Sequence, residues 1–542
     1  MKITKVNIVN YKCFYGIFSM DFSEGINIIV GNNESGKSTI LEAINLCLSG
    51  IINGKYLRNE LSQYLFNKKI SDDYIDSLKT NQKIKPPEIC IEVIFDKETY
   101  PNFMGTANLS KSEESGVVLK IEFNEEYQSE YKEYVESGES ITTIPIEYYK
   151  VSWYSCSREA VTGRSIPIKP VLIDSTSPKY QNGSDIYISR IIKNYLDDKE
   201  KVNLSQAYRS MKQSFMEELS VVEINKKLNQ SAGLTSKKLE ISADLPTQNA
   251  WEKSLMTYID EIPFHQIGKG EQCIVKTNLA LSHGKTEEAH LVLIEEPESH
   301  LTHTRLNELL KNIQDLCDRK QLIITTHSSF VANKLLLKNL ILLNDFRTTR
   351  LIELSNSTFE FFRRLPGYPT LRLLLTKKTI LVEGDSDELI FQRAYMDTHR
   401  ERLPIADGID VISVILTFKR FLEIAKLIEL HVAVITDNDG NFVKNIQEKY
   451  RDYEGLPNIK IFADNNNSLY TLEPQFVDAN ADNLEMLCEV FGISKGKYNS
   501  IEKITKYMET HKTEWALKVF ESDKTFQYPA YIKSALDWCD DE

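Results

Sequence analysis

One stretch decides the fold of the first part of this chain: Ile26-Asn27-Ile28-Ile29-Val30-Gly31-Asn32-Asn33-Glu34-Ser35-Gly36-Lys37-Ser38-Thr39. An apolar run, a loop of the form G-x-x-x-x-G-K-[ST] and helical spacing over residues 37–48 predict a strand, a phosphate-binding loop and a helix. The glycines let backbone amides face the phosphates, Lys37 can reach the terminal phosphates, and Ser38 can ligate Mg²⁺. The residues predicted to bind ATP here are Asn32, Asn33, Glu34, Ser35, Gly36, Lys37, Ser38 and Thr39.

A second apolar run ends in two carboxylates. Residues 291–294 are Leu-Val-Leu-Ile, and Glu295 and Glu296 follow directly. Glu295 can hold the magnesium shell, and Glu296 can orient or deprotonate the attacking water. The alternative is a strand that simply runs into an acidic turn.

Two shorter signals lie on either side of this pair. His327 follows the apolar strand predicted over residues 322–325, where its imidazole could sense the γ-phosphate, although a histidine at a strand end is usually structural. Gly268 and Gly270 flank Lys269 in a short loop before a helix predicted to begin near Cys273. We predict that His327 is catalytic and that both glycines contact nucleotide.

Carboxylates gather again in the last third of the chain. Strands predicted at residues 379–382, 411–416 and 432–436 alternate with helices at 386–395 and 419–430, which indicates a parallel sheet with crossover helices. Glu383 and Asp387 lie at one strand-to-helix turn, and Asp437 and Asp439 flank Asn438 after a later strand. Carboxylates from such strand ends converge at one edge of a parallel sheet.

An all-oxygen ligand set suits Mg²⁺ or Mn²⁺. Ions held this way can deprotonate water and stabilise both oxygens of an in-line phosphodiester displacement. Glu473 and Lys512 are candidates for a supporting shell. The alternative is a pair of exposed acidic loops in an acidic protein.

Composition restricts the class of protein. The chain has 542 residues, 42% of them hydrophobic, eight scattered cysteines and a formal net charge of -13. It lacks the roughly 20-residue apolar run of a membrane span and the apolar core of a signal peptide, so we predict a cytoplasmic protein with reduced thiols and no membrane contact. The negative charge argues against coating nucleic acid but leaves room for a local basic track, for which the candidates are Lys79, Lys83, Lys85, Arg363, Arg364, Lys377 and Lys378.

The domain boundaries follow from changes of pattern. A polar, Lys- and Glu-rich stretch at about residues 185–240 is predicted to be a helical insertion, after which apolar strands resume. The Leu365-Pro366-Gly367 segment ends this part. We therefore predict an α/β fold with an ATPase domain over residues 1–367 and a second α/β domain over residues 368–542.

In their order along the chain, the ATP-site motifs resemble those of the ABC-type ATPase heads of the SMC and RecF group, as does the opening over residues 3–14. The resemblance implies composite ATP sites shared between two heads, with Ser299-His300-Leu301 as the D-loop. The family's signature loop has the form L-S-x-G-E, and Gly268 stands where the serine would contact the γ-phosphate of a partner subunit. We therefore expect slow ATP hydrolysis.

Glu383-Gly384 followed by Asp437-x-Asp439 resembles a Toprim domain. An ABC head joined to a C-terminal Toprim domain is the architecture of the OLD (overcoming lysogenization defect) endonuclease family, which the whole chain resembles. That resemblance implies metal-site roles for Glu383, Asp387, Asp437, Asp439 and Glu473. It also implies catalytic roles for Glu383, Asp437 and Lys512. Asp387 stands where the family commonly has Glu, which would alter the metal preference slightly.

The OLD family includes the nuclease subunit of the Gabija defence system and effectors encoded beside retrons. The resemblance therefore implies DNA as substrate, ATP and Mg²⁺ as cofactors, and a role in anti-phage defence. It also implies a homodimer or higher oligomer joined through the helical insertion. A helicase, or a reverse transcriptase with its RNA/DNA product, would be the defence partner.

Three functions compete at this point. The first is a metal-dependent DNA endonuclease regulated by ATP, which uses both sites. The second is a DNA-tethering or repair ATPase without nuclease activity, which leaves the carboxylates unexplained and lacks long coiled-coil arms. The third is a primase or topoisomerase, which the absence of zinc-ligand cysteines and the short C-terminal part disfavour.

Overall fold

The computed structural model describes residues 2–53, 55–79, 85–96, 100–136, 141–174, 180–181, 184–185, 196–231, 241, 257–282, 291–316, 320–351, 354–365, 369–414 and 417–540. The chain divides into two compact units. The first contains Met1–Ile29 and Asn33–Thr326, and the second contains Val30–Asn32 and His327–Glu542.

The first unit contains two larger sheets and several short hairpins. Its strands are β1 (Ile3–Val9), β2 (Ile17–Asp21), β3 (Ile26–Gly31, whose last two residues cluster with the second unit), β4 (Ile51–Ile52), β5 (Lys55–Tyr56), β6 (Ile89–Phe95), β7 (Met104–Gly105), β8 (Glu114–Phe123), β9 (Tyr149–Ser155), β10 (Pro170–Asp174), β11 (Tyr180–Gln181), β12 (Ser184–Asp185), β13 (Tyr258–Ile259), β14 (Ile262–Pro263), β15 (Leu291–Glu295) and β16 (Gln321–Thr325). Its helices are α1 (Lys37–Ser49), α2 (Leu57–Glu60), α3 (Lys68–Lys79), α4 (Gln128–Glu136), α5 (Asp198–Glu217), α6 (Leu219–Ser231), α7 (Lys269–Ser282) and α8 (His303–Leu316).

One sheet of this unit is antiparallel and the other is parallel. In the antiparallel sheet β2, β1, β6 and β8 are neighbours in that order, and β7 and β9 both pair with β8. In the parallel sheet β10, β15, β16 and β3 are neighbours in that order. The parallel strands are almost continuous apolar runs because both of their faces are buried.

Helix α1 packs against strands of both sheets, including β6, β8, β10 and β15. Its side chains are apolar on most sides, and it buries Ile40, Leu41, Ala43, Ile44, Leu46, Cys47 and Leu48. A helix that is hydrophobic nearly all round must be enclosed by other elements. The helix ends at Gly50, which adopts the left-handed conformation (φ 69°) that the chain needs to leave it.

The described part of the predicted insertion contains two helices, α5 and α6. Asp197 begins α5 with a capping box, in which its side chain accepts from the Glu200 amide at 2.8 Å and the Glu200 carboxylate accepts from the Asp197 amide at 2.7 Å. Residues 186–195 and 232–240 of the predicted insertion lie outside the described residues. So do residues 366 and 367 at the predicted domain boundary, which stays a prediction.

The second unit is built around another parallel sheet. The strands of this unit are β17 (Leu340–Asn344), β18 (Arg347–Arg350), β19 (Lys378–Val382), β20 (Ile409–Ser413), β21 (His431–Ile435) and β22 (Ile459–Phe462). Strands β17 and β18 pair antiparallel with each other and are not part of the parallel sheet. Its helices are α9 (Ser329–Lys334), α10 (Asn356–Arg364), α11 (Thr370–Leu375), α12 (Asp385–Thr398), α13 (Phe418–Leu427), α14 (Leu472–Ala479), α15 (Leu484–Phe491), α16 (Ile501–Glu521) and α17 (Ala530–Asp540).

Strands β20, β19, β21 and β22 are neighbours in that order and all pairs are parallel. Helix α12 packs against α16, and both α14 and α15 also pack against α16. The core between the sheet and these helices is aromatic, and the rings of Phe476 and Trp515 lie 5.4 Å apart. The α/β fold class predicted from the sequence is confirmed.

In the part of the chain that is described, no helix is both long and apolar enough to span a bilayer. Seven cysteines fall within the same residues, and all of them are free thiols. Six of these thiols are buried, and Cys13 is partly exposed.

Candidate nucleotide and metal sites

Gly36 is fixed by its conformation and by its neighbours. It precedes α1 with φ 99°, in the left-handed region that favours glycine. A Cβ at this position would stand 2.8 Å from the Phe14 ring and 2.9 Å from Cys13 Sγ. The phosphate-binding loop is therefore pressed against the turn between β1 and β2, and only glycine fits.

Lys37 is buried at the start of α1, with 6% of its surface exposed. Burial lowers the pKa of its ammonium group, and the charges of Glu296, Glu295 and Glu298 oppose that effect. The predicted phosphate ligand and both predicted carboxylates of the ATP site therefore share one environment in the first unit. Ser38 is exposed and Thr39 partly exposed on the same turn.

The carboxylates after β15 are held by the neighbouring strand. Glu295 pairs with Thr325 in the sheet, and the Glu296 amide donates to the Thr325 carbonyl at 2.9 Å. Glu296 itself has φ 44°, and its carboxylate accepts from the Ser299 hydroxyl at 3.3 Å. Both carboxylates act on the Lys37 ammonium group, so they lie near the start of α1.

The two glycines of the signature-like loop differ in their surroundings. A Cβ at Gly270 would stand 2.4 Å from the carbonyl oxygen of His300, so this loop touches the predicted D-loop of the same chain. In the part of the chain that the structure describes, a Cβ at Gly268 would meet nothing within 4 Å, and the residue is exposed. Helix α7 begins at Lys269, four residues before the predicted start at Cys273, because the loop turns into the helix directly after Gly268.

His327 is exposed and belongs to the second unit, where it follows Thr326 at the end of β16. Its catalytic role stays a prediction.

Several of the basic residues considered for DNA contact have protein partners instead. Arg363 and Arg364 form ion pairs with Glu360, and Lys378 donates to two carbonyls near the end of α17, at 3.0 and 3.3 Å. Lys83 lies outside the described residues.

Two of the predicted metal ligands, Glu383 and Asp437, lie at the ends of two neighbouring strands of the second unit. Glu383 follows β19 directly, and Asp437 comes two residues after β21. One Glu383 carboxylate oxygen accepts from the Thr436 hydroxyl, and it also accepts from the Asp437 amide at 3.1 Å. The two predicted ligands are therefore in contact across the sheet edge.

Asp387 occupies the first turn of α12. Its carboxylate accepts from the Gly384 amide at 3.2 Å. Burial, followed by the charges of Glu383 and Glu473, raises the pKa of Asp387 to about 7. Glu473, in the first turn of α14, thus lies close enough to act on the same group.

Asp437 is the most strongly perturbed carboxylate of this group. Burial raises its pKa to about 9, with further contributions from Asp387, Glu383, Glu473 and Asp439, in that order. Its Oδ1 is buried and has no hydrogen-bond partner among the described residues. A buried, unpaired carboxylate oxygen among four other carboxylates is unstable unless a proton or a cation neutralises it.

The donor set fits a hard divalent cation, since it offers only oxygen ligands and one of them is unpaired. Within the described residues, no three His, Cys, Asp or Glu side chains are already arranged around a common point as a formed metal site. The carboxylates would therefore have to rotate to enclose an ion.

Lys512 interrupts helix α16 with non-helical torsion angles (φ 17°, ψ -113°) and is exposed. Three residues earlier on the same helix, Glu509 accepts from the Tyr470 hydroxyl at 2.7 Å. The catalytic role of Lys512 stays a prediction.

Sequence reasoning missed two residues of this site. Asp464 comes two residues after β22, as Asp437 does after β21, and its charge acts with those of Asp437 and Asp387 on buried Tyr531, whose pKa is raised chiefly by burial. Asn438 is fully buried between the two aspartates and bonds the loop that contains Asp464. The apolar run before Asp464 was a usable signal, whereas nothing local distinguishes Asn438.

A phosphate-binding loop beside paired carboxylates, with a parallel-sheet unit that gathers acidic side chains, defines an ATPase fused to a second α/β domain. The chain belongs to the family described as AAA ATPase domain, whose model matches residues 1–332. A model described as "Overcoming lysogenization defect protein-like, TOPRIM domain" matches residues 374–439. The resemblance to the OLD architecture is confirmed, and this pair of domains supports a hydrolase with nuclease-type activity regulated by ATP.

A curated relative is the "Structural maintenance of chromosomes protein 3 homolog" of Plasmodium falciparum (isolate 3D7), 30% identical over 115 residues. The match covers 21% of this chain and 10% of that protein, so the chain spans about a tenth of the length of this relative.

Similar solved structures include the "SmcHead bound to the C-winged helix domain of ScpA", with 14% identity, a TM-score of 0.33 and coverage of 65% of this chain and 99% of that one. The "SMC head domain from Thermotoga maritima" has 13% identity, a TM-score of 0.29 and coverage of 63% and 94%. At these TM-scores the likeness supports no inference about function.

Proposed function

We propose that this protein is a divalent-metal-dependent DNA endonuclease whose activity is regulated by ATP. The observation that carries the proposal is the meeting of Glu383 and Asp437 at the ends of two neighbouring parallel strands. The pKa of Asp437 is also raised, chiefly by burial and then by the neighbouring carboxylates. Structural carboxylates are usually paired with cations, whereas these are crowded with one another. Such crowding is what a bound divalent cation would relieve.

Five carboxylates would hold Mg²⁺ or Mn²⁺: Glu383, Asp387, Asp437, Asp439 and Glu473. When bound, the ion supplies an acidified water and neutralises charge on a phosphodiester. Glu383 is oriented for this task by the Thr436 hydroxyl and the Asp437 amide. The unpaired Asp437 Oδ1 is the ligand atom that needs no existing hydrogen bond to be broken. The exposed ammonium of Lys512 would neutralise a DNA phosphate.

The regulatory half is the ATP site of the first unit. Lys37 and the phosphate-binding loop would bind ATP, Ser38 and Glu295 would hold Mg²⁺, and Glu296 would activate water. His327 would sense the γ-phosphate, and Gly268 and Gly270 would meet the nucleotide of a second copy in a homodimer. Because a ligand shifts an equilibrium only through its different affinities for two states, ATP would act by favouring one arrangement of the two copies.

The biological role that fits this pair of domains is anti-phage defence, as the OLD resemblance implies. A helicase, or a reverse transcriptase with its nucleic-acid product, would be the partner that supplies the trigger. Isolation of the protein from its host before and during infection, followed by identification of co-purifying proteins and nucleic acid, tests this part.

The nuclease is tested by incubating supercoiled plasmid with the purified protein and Mg²⁺ or Mn²⁺. We expect nicked or linear product from the wild type and none from Glu383→Ala or Asp437→Ala, since nothing nearby replaces either ligand. Asp482→Ala is the matched control, because Asp482 is an exposed carboxylate of the same unit. Cleavage that survives in Asp437→Ala, or in excess chelator, would show that the carboxylates do not form the active site.

The second candidate is an SMC-like DNA-tethering ATPase without nuclease activity. The match to a structural maintenance of chromosomes protein 3 homolog favours it. ATP-dependent retention of circular plasmid, with no cleavage under any metal and no effect of Asp437→Ala, would support this function over the nuclease.

A further inference from the structure

Asn438 lies between the two aspartates of the proposed metal site and has no exposed surface. Its Nδ2 donates to three carbonyl oxygens, those of Asp464 at 2.9 Å, Asn466 at 3.0 Å and Leu469 at 3.2 Å. Its Oδ1 accepts from the Gly440 amide at 2.8 Å. When both the donor group and the acceptor of a buried side-chain amide form hydrogen bonds, the amide fixes the positions of the segments that it connects.

What Asn438 joins is the loop of residues 464–470, which we call the clasped loop. The backbone directly after Asn438 is tied to the same loop, because the Asp439 amide donates to the Tyr470 carbonyl at 3.1 Å. Further along, the Phe442 amide donates to the Asn467 side chain at 2.8 Å. The segment that begins directly after Asp437 and contains Asp439 is therefore fastened to the clasped loop at three residues.

The clasped loop leads directly into α14, whose first turn contains Glu473. Gln475 of α14 donates to the Leu469 carbonyl at 2.9 Å and accepts from the buried Tyr531 hydroxyl at 2.6 Å. The far end of the loop is held by α16, where Glu509 accepts from Tyr470. Three parts of the proposed site, which are the Asp437–Asp439 segment, the start of α14 and helix α16, thus share one loop.

We propose that Asn438 is a positioning residue that sets the distance between Asp437 and Glu473 by holding the clasped loop. This inference rests on the proposed metal site. The physical reason is the crowding of carboxylates, because ligands that repel one another separate unless a rigid connection holds them near the ion. Only a side chain with two donor hydrogens and an acceptor satisfies the contacts at this position, and a carboxylate there would face three carbonyl oxygens.

Asn480 is a matched control. It is also buried in the second unit, with 4% of its surface exposed, and it donates to Phe476 and Gln527 carbonyls at 2.9 and 2.8 Å. It fastens α14 to the segment before α17 and contacts no carboxylate of the site in the described hydrogen bonds. Asn480→Ala therefore removes a comparable buried amide without touching the clasped loop.

The test measures Mn²⁺ binding to the full chain, by calorimetry and by the loss of the free Mn²⁺ paramagnetic resonance signal. We expect Asn438→Asp and Asn438→Ala to weaken Mn²⁺ binding at least about tenfold, as loss of a residue that orients metal ligands commonly does. Asn438→Ser, which keeps one donor and is the mildest change, should fall between them and the wild type. Backbone amide hydrogen exchange over residues 464–473 should become faster in the same order.

Asn480→Ala should lower the melting temperature as much as the Asn438 variants do while leaving Mn²⁺ affinity unchanged. Wild-type Mn²⁺ affinity in Asn438→Asp and Asn438→Ser, or an equal loss in Asn480→Ala, would overturn the positioning role. If the wild type binds Mn²⁺ but cuts no DNA, the proposed nuclease fails and the Mn²⁺ measurements still decide the role of Asn438. A wild type that binds no Mn²⁺ overturns both.

Discussion

Replacing Asp437 by Asn should make the metal-free protein more stable, although it removes a proposed ligand. The pKa of this carboxylate is 3.8 in an ordinary setting and about 9 in the folded protein, chiefly because of burial. Above pH 3.8 the unfolded chain loses this proton readily while the folded chain retains it. The free energy of unfolding therefore falls as the pH rises from about 4 toward 9. An asparagine of the same shape carries no such penalty.

The magnitude follows from the difference between the two pKa values. At pH 7 the ceiling is about 4 kcal/mol, at roughly 1.36 kcal/mol for each pH unit above 3.8. Solvent reaches part of Asp437 and the neighbouring carboxyl groups can share the proton, so we expect about 1–2 kcal/mol. For a unit of this size that corresponds to a melting temperature higher by about 3–6 °C.

The assay is thermal unfolding followed by circular dichroism in excess chelator at pH 4.5, 6, 7 and 8. The gap between Asp437→Asn and the wild type should be smallest at pH 4.5 and should widen toward pH 8. Added Mg²⁺ should raise the melting temperature of the wild type more than that of the variant. Asp482→Asn, at an exposed carboxylate of the same unit, should show no such trend. A variant less stable than the wild type at pH 8, or a gap independent of pH, would refute the reasoning.

Two further predictions concern the ATP site. Lys37→Ala should make plasmid cleavage insensitive to ATP, and Glu296→Gln should hold the cleavage rate at the level that the wild type reaches at saturating ATP. Nuclease rates measured across an ATP titration test both variants. A wild-type rate that does not change with ATP would mean that the ATP site and the carboxylate site act independently. Gly270→Ala should lose about 1–3 kcal/mol of stability and most ATP hydrolysis, because its Cβ would stand 2.4 Å from the His300 carbonyl oxygen. In Gly268→Ala the added Cβ meets nothing within 4 Å among the described residues, so this variant should keep both wild-type stability and wild-type ATP hydrolysis. Equal melting curves and equal phosphate release for the two glycine variants would contradict this prediction.

The local sequence pattern was enough to locate most strands of the two parallel sheets. The strand predicted over residues 379–382 is β19, which begins one residue earlier, and the helix predicted from Lys37 begins there. These elements are specified by the spacing of apolar residues and by glycines at their ends, which are properties of neighbouring residues. The convergence of Glu383 and Asp437 was predictable for the same reason, since parallel strands bring their carboxyl ends to one edge.

Other features of the site depend on contacts between segments far apart in the sequence. The three carbonyls that hold Asn438 lie 26 to 31 residues away from it, and the carbonyl that requires glycine at position 270 belongs to His300. Neither contact leaves a periodic or compositional signal, because each depends on how two loops meet after the sheets have formed. The sequence by itself therefore determined most strands of the two parallel sheets, the phosphate-binding loop and the set of carboxylates. Only the tertiary structure decided which loop holds those carboxylates together, because hydrogen bonds between distant loops are specified by the packed backbone and not by neighbouring residues.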